Sequence, residues 1–351
     1  MEDISVKTYS PEYKDSLLSL LSYHWTDLTP EEMRERFKWR YEDNPYTKSP
    51  YCYLALDGEK VVGHCGSVVQ KFRSDEEEYY FCTPADAVVH PDYRRKGVFS
   101  SVLEFSRDHL ALNSDMSLIL ILSATEASTA VSLIYDDVPV SKREYYYAFS
   151  FFNILRSKNF QTPISMDKNG LKIEITKELR AEEICRLMDD CREKDKIANV
   201  RDEKFYEWRF SNPLEDYIFV YCTKEGELVG YVALANNDEK IVPMMEYGYL
   251  EPSYLEDLIE EIFKNLSISC LSAYIFTRSD KEKEMLSRIG FRDRNDWLIK
   301  LLKKMNVMSE SKQPGALVKP LCENITEEDF FLNGKDIREP NNWSLFLSDM
   351  H

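Results

Sequence analysis

The chain has 351 residues, more than one core comfortably serves, and its 43% hydrophobic and 30% charged residues are those of an ordinary globular protein, so two domains are expected. A net charge of −17 denies it the basic footprint a nucleic-acid binder needs; it suits a cationic substrate, although an acidic surface is more commonly a route to solubility. The longest apolar run, residues 118–122, is too short to cross a bilayer, and Met-Glu-Asp-Ile-Ser-Val lacks a basic start and an apolar stretch, so no membrane, no secretory signal and a cytoplasmic location are expected.

In chain order, residues 4–6 read as a short strand and 11–23 as a helix. Trp39-Arg40-Tyr41-Glu42-Asp43-Asn44-Pro45 then leads into an apolar strand and Asp57-Gly58-Glu59-Lys60-Val61-Val62-Gly63, an acidic-Gly hairpin signal. Asp75-Glu76-Glu77-Glu78 reads as a solvated hairpin turn. The series then recurs. Residues 173–175 form a strand, 181–194 a helix, and Trp208-Arg209-Phe210-Ser211-Asn212-Pro213 leads into a strand and Glu225-Gly226-Glu227-Leu228-Val229-Gly230. Such a series implies two copies of one α+β (mixed α/β) domain. The Trp-Arg-aromatic-Asn-Pro motif could line a ligand site. Its presence in both copies favours a structural corner, with the tryptophan buried, the arginine paired and Asn-Pro turning the chain.

Between the copies' first hairpins and their later helices, only the first has a distinctive loop. The strand 85–89 runs through Val88, Val89 and His90 into Pro91, then through Arg94, Arg95, Lys96 and Gly97 into a helix beginning Val98-Phe99-Ser100. Unpaired amides and the dipole at a helix N-terminus favour an anion, and Gly97 admits one close to the main chain. The plain alternative is a solvated basic turn; the order of strand, proline, glycine and helix favours phosphate binding. The second copy reads Met245-Glu246-Tyr247-Gly248-Tyr249-Leu250-Glu251-Pro252 there, with no arginine and no loop glycine, and Glu251 and Glu256 would repel a phosphate.

Val89, Pro91, Arg94 and Gly97 resemble motif A of the GNAT acyltransferase superfamily, Val-x-Pro-x-x-Arg-x-x-Gly-x-Gly or Ala. Phe99 stands where that motif has a small residue, so its side chain must turn into the core while its amide faces the phosphate. Leu286-Ser287-Arg288-Ile289-Gly290-Phe291 keeps the family's later Leu-x-x-x-Gly-Phe ending in the second copy. The resemblance implies two tandem domains, each a mixed, mostly antiparallel twisted sheet flanked by helices: 1–160 with the acyl-CoA loop, 161–170 as linker, 171–304 degenerate, and 305–351 a tail that adds a strand, with 342–347 as its strand candidate. The aromatic run 145–152 is expected to form the last strands of the first domain.

The resemblance also implies acetyl-CoA or another acyl-CoA as co-substrate, with transfer to a primary amine of a small molecule or sugar by direct attack in a ternary complex. Val88 and His90 would offer main-chain groups to the pantetheine arm, and Arg94 to Ser100 would wrap the pyrophosphate. Tyr135, seven residues after Ser128, matches the family's general-acid tyrosine, with Ser128 standing where the family has asparagine. Asp86 and Glu126 are the candidates for the base, although Asp86 could equally pair within the sheet. The eight cysteines show no zinc-ligand spacing, no metal is expected, and Cys82 is expected to be a buried structural thiol rather than a nucleophile. Two other functions compete: a non-catalytic acyl-CoA sensor, and an aminoacyl transferase of the peptidoglycan type, which the acidic charge disfavours.

Overall fold

The computed structural model describes residues 4–124, 129, 132–142, 144–153, 160–236, 241–275, 280–304 and 315–350. The chain falls into two compact units, residues 1–140, 212–214 and 316–338, and residues 141–211, 215–315 and 339–351. Among the described residues no helix is long and apolar enough to cross a membrane.

The first part of the chain carries β1 (Ser5–Thr8), α1 (Lys14–Leu21), α2 (Pro30–Phe37), β2 (Tyr51–Asp57), β3 (Lys60–Ser74), β4 (Glu77–Val89), α3 (Val98–Asn113), β5 (Met116–Ala124), β6 (Val138–Lys142) and β7 (Glu144–Phe149). Next come β8 (Ile164–Lys168), β9 (Leu171–Thr176), α4 (Ala181–Cys191), β10 (Ile197–Asn199), α5 (Glu203–Arg209), β11 (Asp216–Lys224), β12 (Glu227–Asn236) and β13 (Ile241–Tyr249). The remainder is α6 (Pro252–Leu266), β14 (Cys270–Ile275), α7 (Asp280–Arg288), β15 (Arg292–Asp293), α8 (Trp297–Lys304), β16 (Gly315–Pro320), β17 (Phe331–Leu332), β18 (Lys335–Asp336) and β19 (Trp343–Ser344).

Local chemistry explains the element ends. Thr29 and Glu32 form a reciprocal capping box that starts α2, with Pro30 at its first position. The α3 positions Val98, Val102, Leu103 and Leu110 are buried, an apolar stripe at helical spacing that lies on the sheet beside Ala55, Val69 and Ile119. The turns at Asp57-Gly58 and Asp75-Glu76 are hairpins as expected, with Gly58 and Asp75 at positive φ.

The first unit's strands run in the order β1-β2-β3-β4-β5-β16-β6, and the second sheet's β15-β7-β14-β13-β12-β11-β9-β8. In each sheet one central pair is parallel, β4 with β5 and β13 with β14. The long hairpins on one side of that pair are antiparallel. This is the expected mixed, mostly antiparallel sheet with flanking helices, built twice.

Three expectations about the order of segments need correction. The aromatic strand β7 does not close the first sheet; it lies between β14 and β15 in the second, with Tyr146 opposite Ala273 and Ala148 opposite Leu271. Reciprocally, β16, from beyond the second repeat, sits beside β5 in the first sheet. The segment 161–170 is not a bare linker: β8 pairs with β9 around Asn169-Gly170, both at positive φ, a turn that suits hairpin twist. The expected strand 342–347 shrinks to β19, which pairs in parallel with β10.

Candidate active site

The loop after β4 has the anion-binding form. Pro91–Tyr93 make one 3₁₀ turn, Arg94 is extended, Arg95 is left-handed at φ +62°, and Gly97 caps α3 at φ +80°. That φ disfavours any residue with a Cβ, while a Cβ at Gly97 would meet nothing within 4 Å, so conformation rather than crowding selects glycine. No side chain caps α3 and no acid lies in its first turn. The first intrahelical bond at this end runs from the Ser101 amide to the Gly97 carbonyl, 3.0 Å, so the amides of Val98, Phe99 and Ser100 face outward from the helix start. Arg94, Arg95 and Lys96 are exposed around them. Phe99 packs partly against the first unit's core, the orientation its sequence position requires.

The strand ahead of that loop is open on one side. β4 and β5 pair in parallel only at Tyr80, Phe81 and Cys82, opposite Met116, Leu118 and Ile119. Beyond Cys82 the described residues show no pairing between them, although both strands continue. Unpaired strand groups beside a helix N-terminus make a groove that can take an extended, hydrogen-bonding chain ending in a diphosphate.

The alternation of the ladder revises which residues line it. The His90 amide already donates to the Val62 carbonyl, 2.9 Å, and the His90 carbonyl accepts from the Tyr93 amide. Val88, two residues earlier, faces β3 in the same way, opposite His64. The main chain of Val89 therefore faces the open side, where its carbonyl takes the Arg94 Nε, 3.1 Å. The His90 side chain serves the turn: Nδ1 accepts the Asp92 amide and Nε2 meets the Tyr23 hydroxyl, each at 3.3 Å.

Asp86, one candidate base, is engaged in a different role. It sits in a bulge of β4, where Val88 faces His64 and Ala85 faces Gly66, and it adopts φ +50°. Its carboxylate is buried and accepts both oxygens' share of Arg40 Nη1 at 2.8 Å, the Tyr41 hydroxyl at 2.7 Å and Trp25 Nε1 at 3.1 Å. His24 Nε2 lies 3.8 Å away. Burial alone would raise this carboxyl, but the Arg40 guanidinium and the Tyr41 hydroxyl outweigh it and hold Asp86 well below the usual carboxylate range. An acid so readily ionised, with its lone pairs occupied, is a poor proton acceptor at neutral pH. Asp86 thus pairs within the sheet, the alternative its position allowed, and that pairing argues against its acting as the base. Gly66 is part of this arrangement: a Cβ there would lie 2.3 Å from the Tyr41 hydroxyl.

The Trp-Arg-aromatic-Asn-Pro corners are structural as expected. Trp39, Arg40, Trp208 and Arg209 are buried, and Asn44 and Asn212 each accept the amide two residues on. Cys82 is fully buried, and burial pushes its thiol up to about 12, which removes it as a nucleophile. Glu126 and Ser128 lie outside the described residues.

Tyr135 is half-buried against α3, its hydroxyl donating to Glu104 Oε1 at 3.2 Å and its ring under the Arg107 guanidinium at 5.0 Å. Two contacts here were beyond the reach of sequence. Arg107 and Lys319 both donate to the Tyr135 carbonyl, and Lys319 lies on β16, far along the chain.

The matching place in the second unit has been rebuilt. α6 begins at Glu251 with Pro252 next, so an acid stands at the cap and one amide is missing. Val89 faces Gly63 and Tyr249 faces Gly230, which makes Glu246 the counterpart of Asp86. Glu246 is fully buried on Arg201, 2.5 Å, but Asp349 shares that arginine at 2.8 Å. Burial, reinforced by Asp349 and only partly opposed by Arg201, raises the Glu246 carboxyl. Beyond it, Tyr247 and Tyr249 donate to Glu282 of α7, and Phe346 stands edge-on to Tyr247.

Comparison with known proteins agrees with this geometry. Residues 5–130 match the family model of the acetyltransferase (GNAT) domain. No curated protein matches the chain by sequence. Among solved structures, a conserved protein of unknown function from Enterococcus faecalis V583 superposes with a TM-score of 0.66 at 13% identity, over 91% of this chain and 73% of that one. A GCN5-related N-acetyltransferase from Anabaena variabilis gives 0.61 at 10% identity, over 91% and 73%. A tandem GNAT protein from the clavulanic acid biosynthesis pathway gives 0.56 at 9% identity, over 92% of this chain and all of that one. At such identities the structures speak for the fold. Residues 5–130 thus match the acetyltransferase (GNAT) domain, and the solved structures share the chain's fold, one of them a tandem GNAT protein. The family's general activity is acyl-CoA-dependent N-acylation.

Proposed function

We propose that the first unit binds acetyl-CoA and transfers the acetyl group to a primary amine of a small molecule or sugar. The observation that carries this is the acid-free N-terminus of α3, capped by left-handed Gly97 and opening beside the unpaired edge of β4. Pyrophosphate would take the outward amides of Val98 to Ser100, with Arg94, Arg95 and Lys96 supplying charge. The pantetheine arm would lie along Val89.

The amine nitrogen attacks the thioester carbonyl carbon directly, the carbon–sulfur bond breaks, and the leaving sulfur takes a proton from the Tyr135 hydroxyl. With Asp86 committed to Arg40, Glu126 remains the candidate to accept the amine's proton. Calorimetry tests the first step: acetyl-CoA should bind the wild type, and Arg94→Glu should abolish or severely weaken that binding. Unchanged affinity would sink the assignment.

One observation favours a second reading, a non-catalytic acyl-CoA sensor: Asp86, on the strand that edges the groove, is held ionised by Arg40 and is a poor proton acceptor. Thiol release from acetyl-CoA with a panel of amines separates the two. Tight binding with no release above the rate of hydrolysis supports the sensor.

A further inference from the structure

We propose that Lys319 is a positioning residue for Tyr135, so that the strand supplied from beyond the second repeat completes the catalytic apparatus of the first unit. This rests on Tyr135 being the general acid.

The argument begins with the local backbone. Residues 132–134 are helical, and Asp136 reverses the chain at φ +61°. Such an abrupt end leaves the Tyr135 carbonyl without a helical partner. Two cations supply one. Arg107 Nη1, on α3, donates to it at 3.1 Å, and Lys319 Nζ, on β16, donates to it at 2.5 Å. The same arginine is pinned by Asp137, whose Oδ2 accepts Nη2 at 2.7 Å, and it covers the tyrosine ring. Main chain and ring of residue 135 are thus fixed to α3, the helix whose first turn forms the anion site.

Lys319 is not an incidental surface contact. It is half-buried on a strand whose neighbours Ala316, Leu317, Val318 and Pro320 are buried, and burial with the nearby Arg107 lowers its pKa. A cationic side chain is kept in so unfavourable a place by the carbonyl and the Asp137 charge it meets. Only the exchanged strand carries it there. A second copy without a phosphate loop would then still be required, because it brings β16.

The test is a double-mutant cycle read as CoA release from acetyl-CoA, with spermidine and glucosamine as acceptors and water where neither reacts. Lys319→Met is expected to lower kcat about ten- to hundredfold, the cost of a misplaced catalytic group. The KM for acetyl-CoA should stay within about twofold, since uniform binding is untouched. Lys319→Arg, which keeps charge and reach, should restore most of kcat. Tyr135→Phe should fall comparably, and Lys319→Met combined with Tyr135→Phe should be no worse than Tyr135→Phe alone.

A wild-type kcat in Lys319→Met, or losses that multiply in the double variant, overturns the positioning role. If Tyr135→Phe itself keeps full kcat, it is the general-acid reading that fails. Should Lys319→Met not fold, the contrast between Lys319→Arg and Lys319→Gln decides: equal kcat in the two overturns the proposal, and a deficit in Lys319→Gln alone upholds it.

Discussion

The two repeats place a buried carboxylate at the same point of the same strand, and they resolve its charge in opposite ways. Asp86 is paired with Arg40, with Tyr41 and Trp25 donating, and is held ionised. Glu246 shares Arg201 with Asp349 and is pushed towards its protonated form. The helix that follows differs in the same sense: α3 starts on bare amides and basic side chains, α6 on Glu251 and Pro252. The two repeats therefore keep a sheet and a buried acid in common while the helix that follows starts on different chemistry. On the proposed function, the first turn of one helix is what separates the two repeats.

The severest way to break this contrast is to strip the arginines. Arg40→Met leaves Asp86 buried without its counter-charge and should cost about 3–5 kcal/mol by chemical denaturation. Arg201→Met should cost less by the same measurement, and less still as the pH is lowered, because Glu246 can take up a proton. Equal costs for the two variants would show the environments to be alike.

Ligand binding probes the helix starts. Arg94→Glu should weaken acetyl-CoA about ten- to hundredfold, the loss of a charge-assisted contact plus repulsion. Glu251→Lys, at the other helix, should leave that affinity unchanged. A change in the second variant would assign cofactor to the wrong repeat.

Acid titration separates the carboxylates more finely. The Asp86 carboxyl lies below its unfolded value, so its stabilisation is complete above about pH 5 and lost as pH falls through the acid range. Asp86→Asn should therefore lower stability at pH 7 and flatten the decline below pH 4. The Glu246 carboxyl lies above its unfolded value, so that group favours folding at low pH and costs stability as pH rises through its folded pKa. Glu246→Gln should shift stability at pH 7 by about 1 kcal/mol or less. Gly66→Ala, which displaces the Tyr41 hydroxyl from Asp86, should cost about 1–3 kcal/mol at pH 7.

The legible parts of the molecule were those written in contiguous sequence. Pro91, Arg94 and Gly97 act within one turn, so their spacing carries the geometry. The two Trp-Arg corners were visible as a repeat, and Asn44 and Asn212 turn the chain as that motif requires. The partner of Arg40 was not visible, because Asp86 reaches it only through a bulge and a left-handed residue. Nor was the fate of the aromatic strand: Tyr145–Phe149 alternates equally well in either sheet, and nothing local chooses between them. Asn169-Gly170 did carry a hairpin signal, which the surrounding polar residues and Pro163 masked. Lys319 left no trace, since one lysine in an apolar strand ordinarily points to water.

The exchange of β7 and β16 has a consequence for how the chain is made. While the ribosome is still producing the second repeat, the first sheet lacks the neighbour of β5, and its edge remains a template for unwanted pairing. That edge is closed only when residues 315–320 emerge, so the earliest-made sheet is among the last to be finished. A shortened message would yield two lesions from one cut.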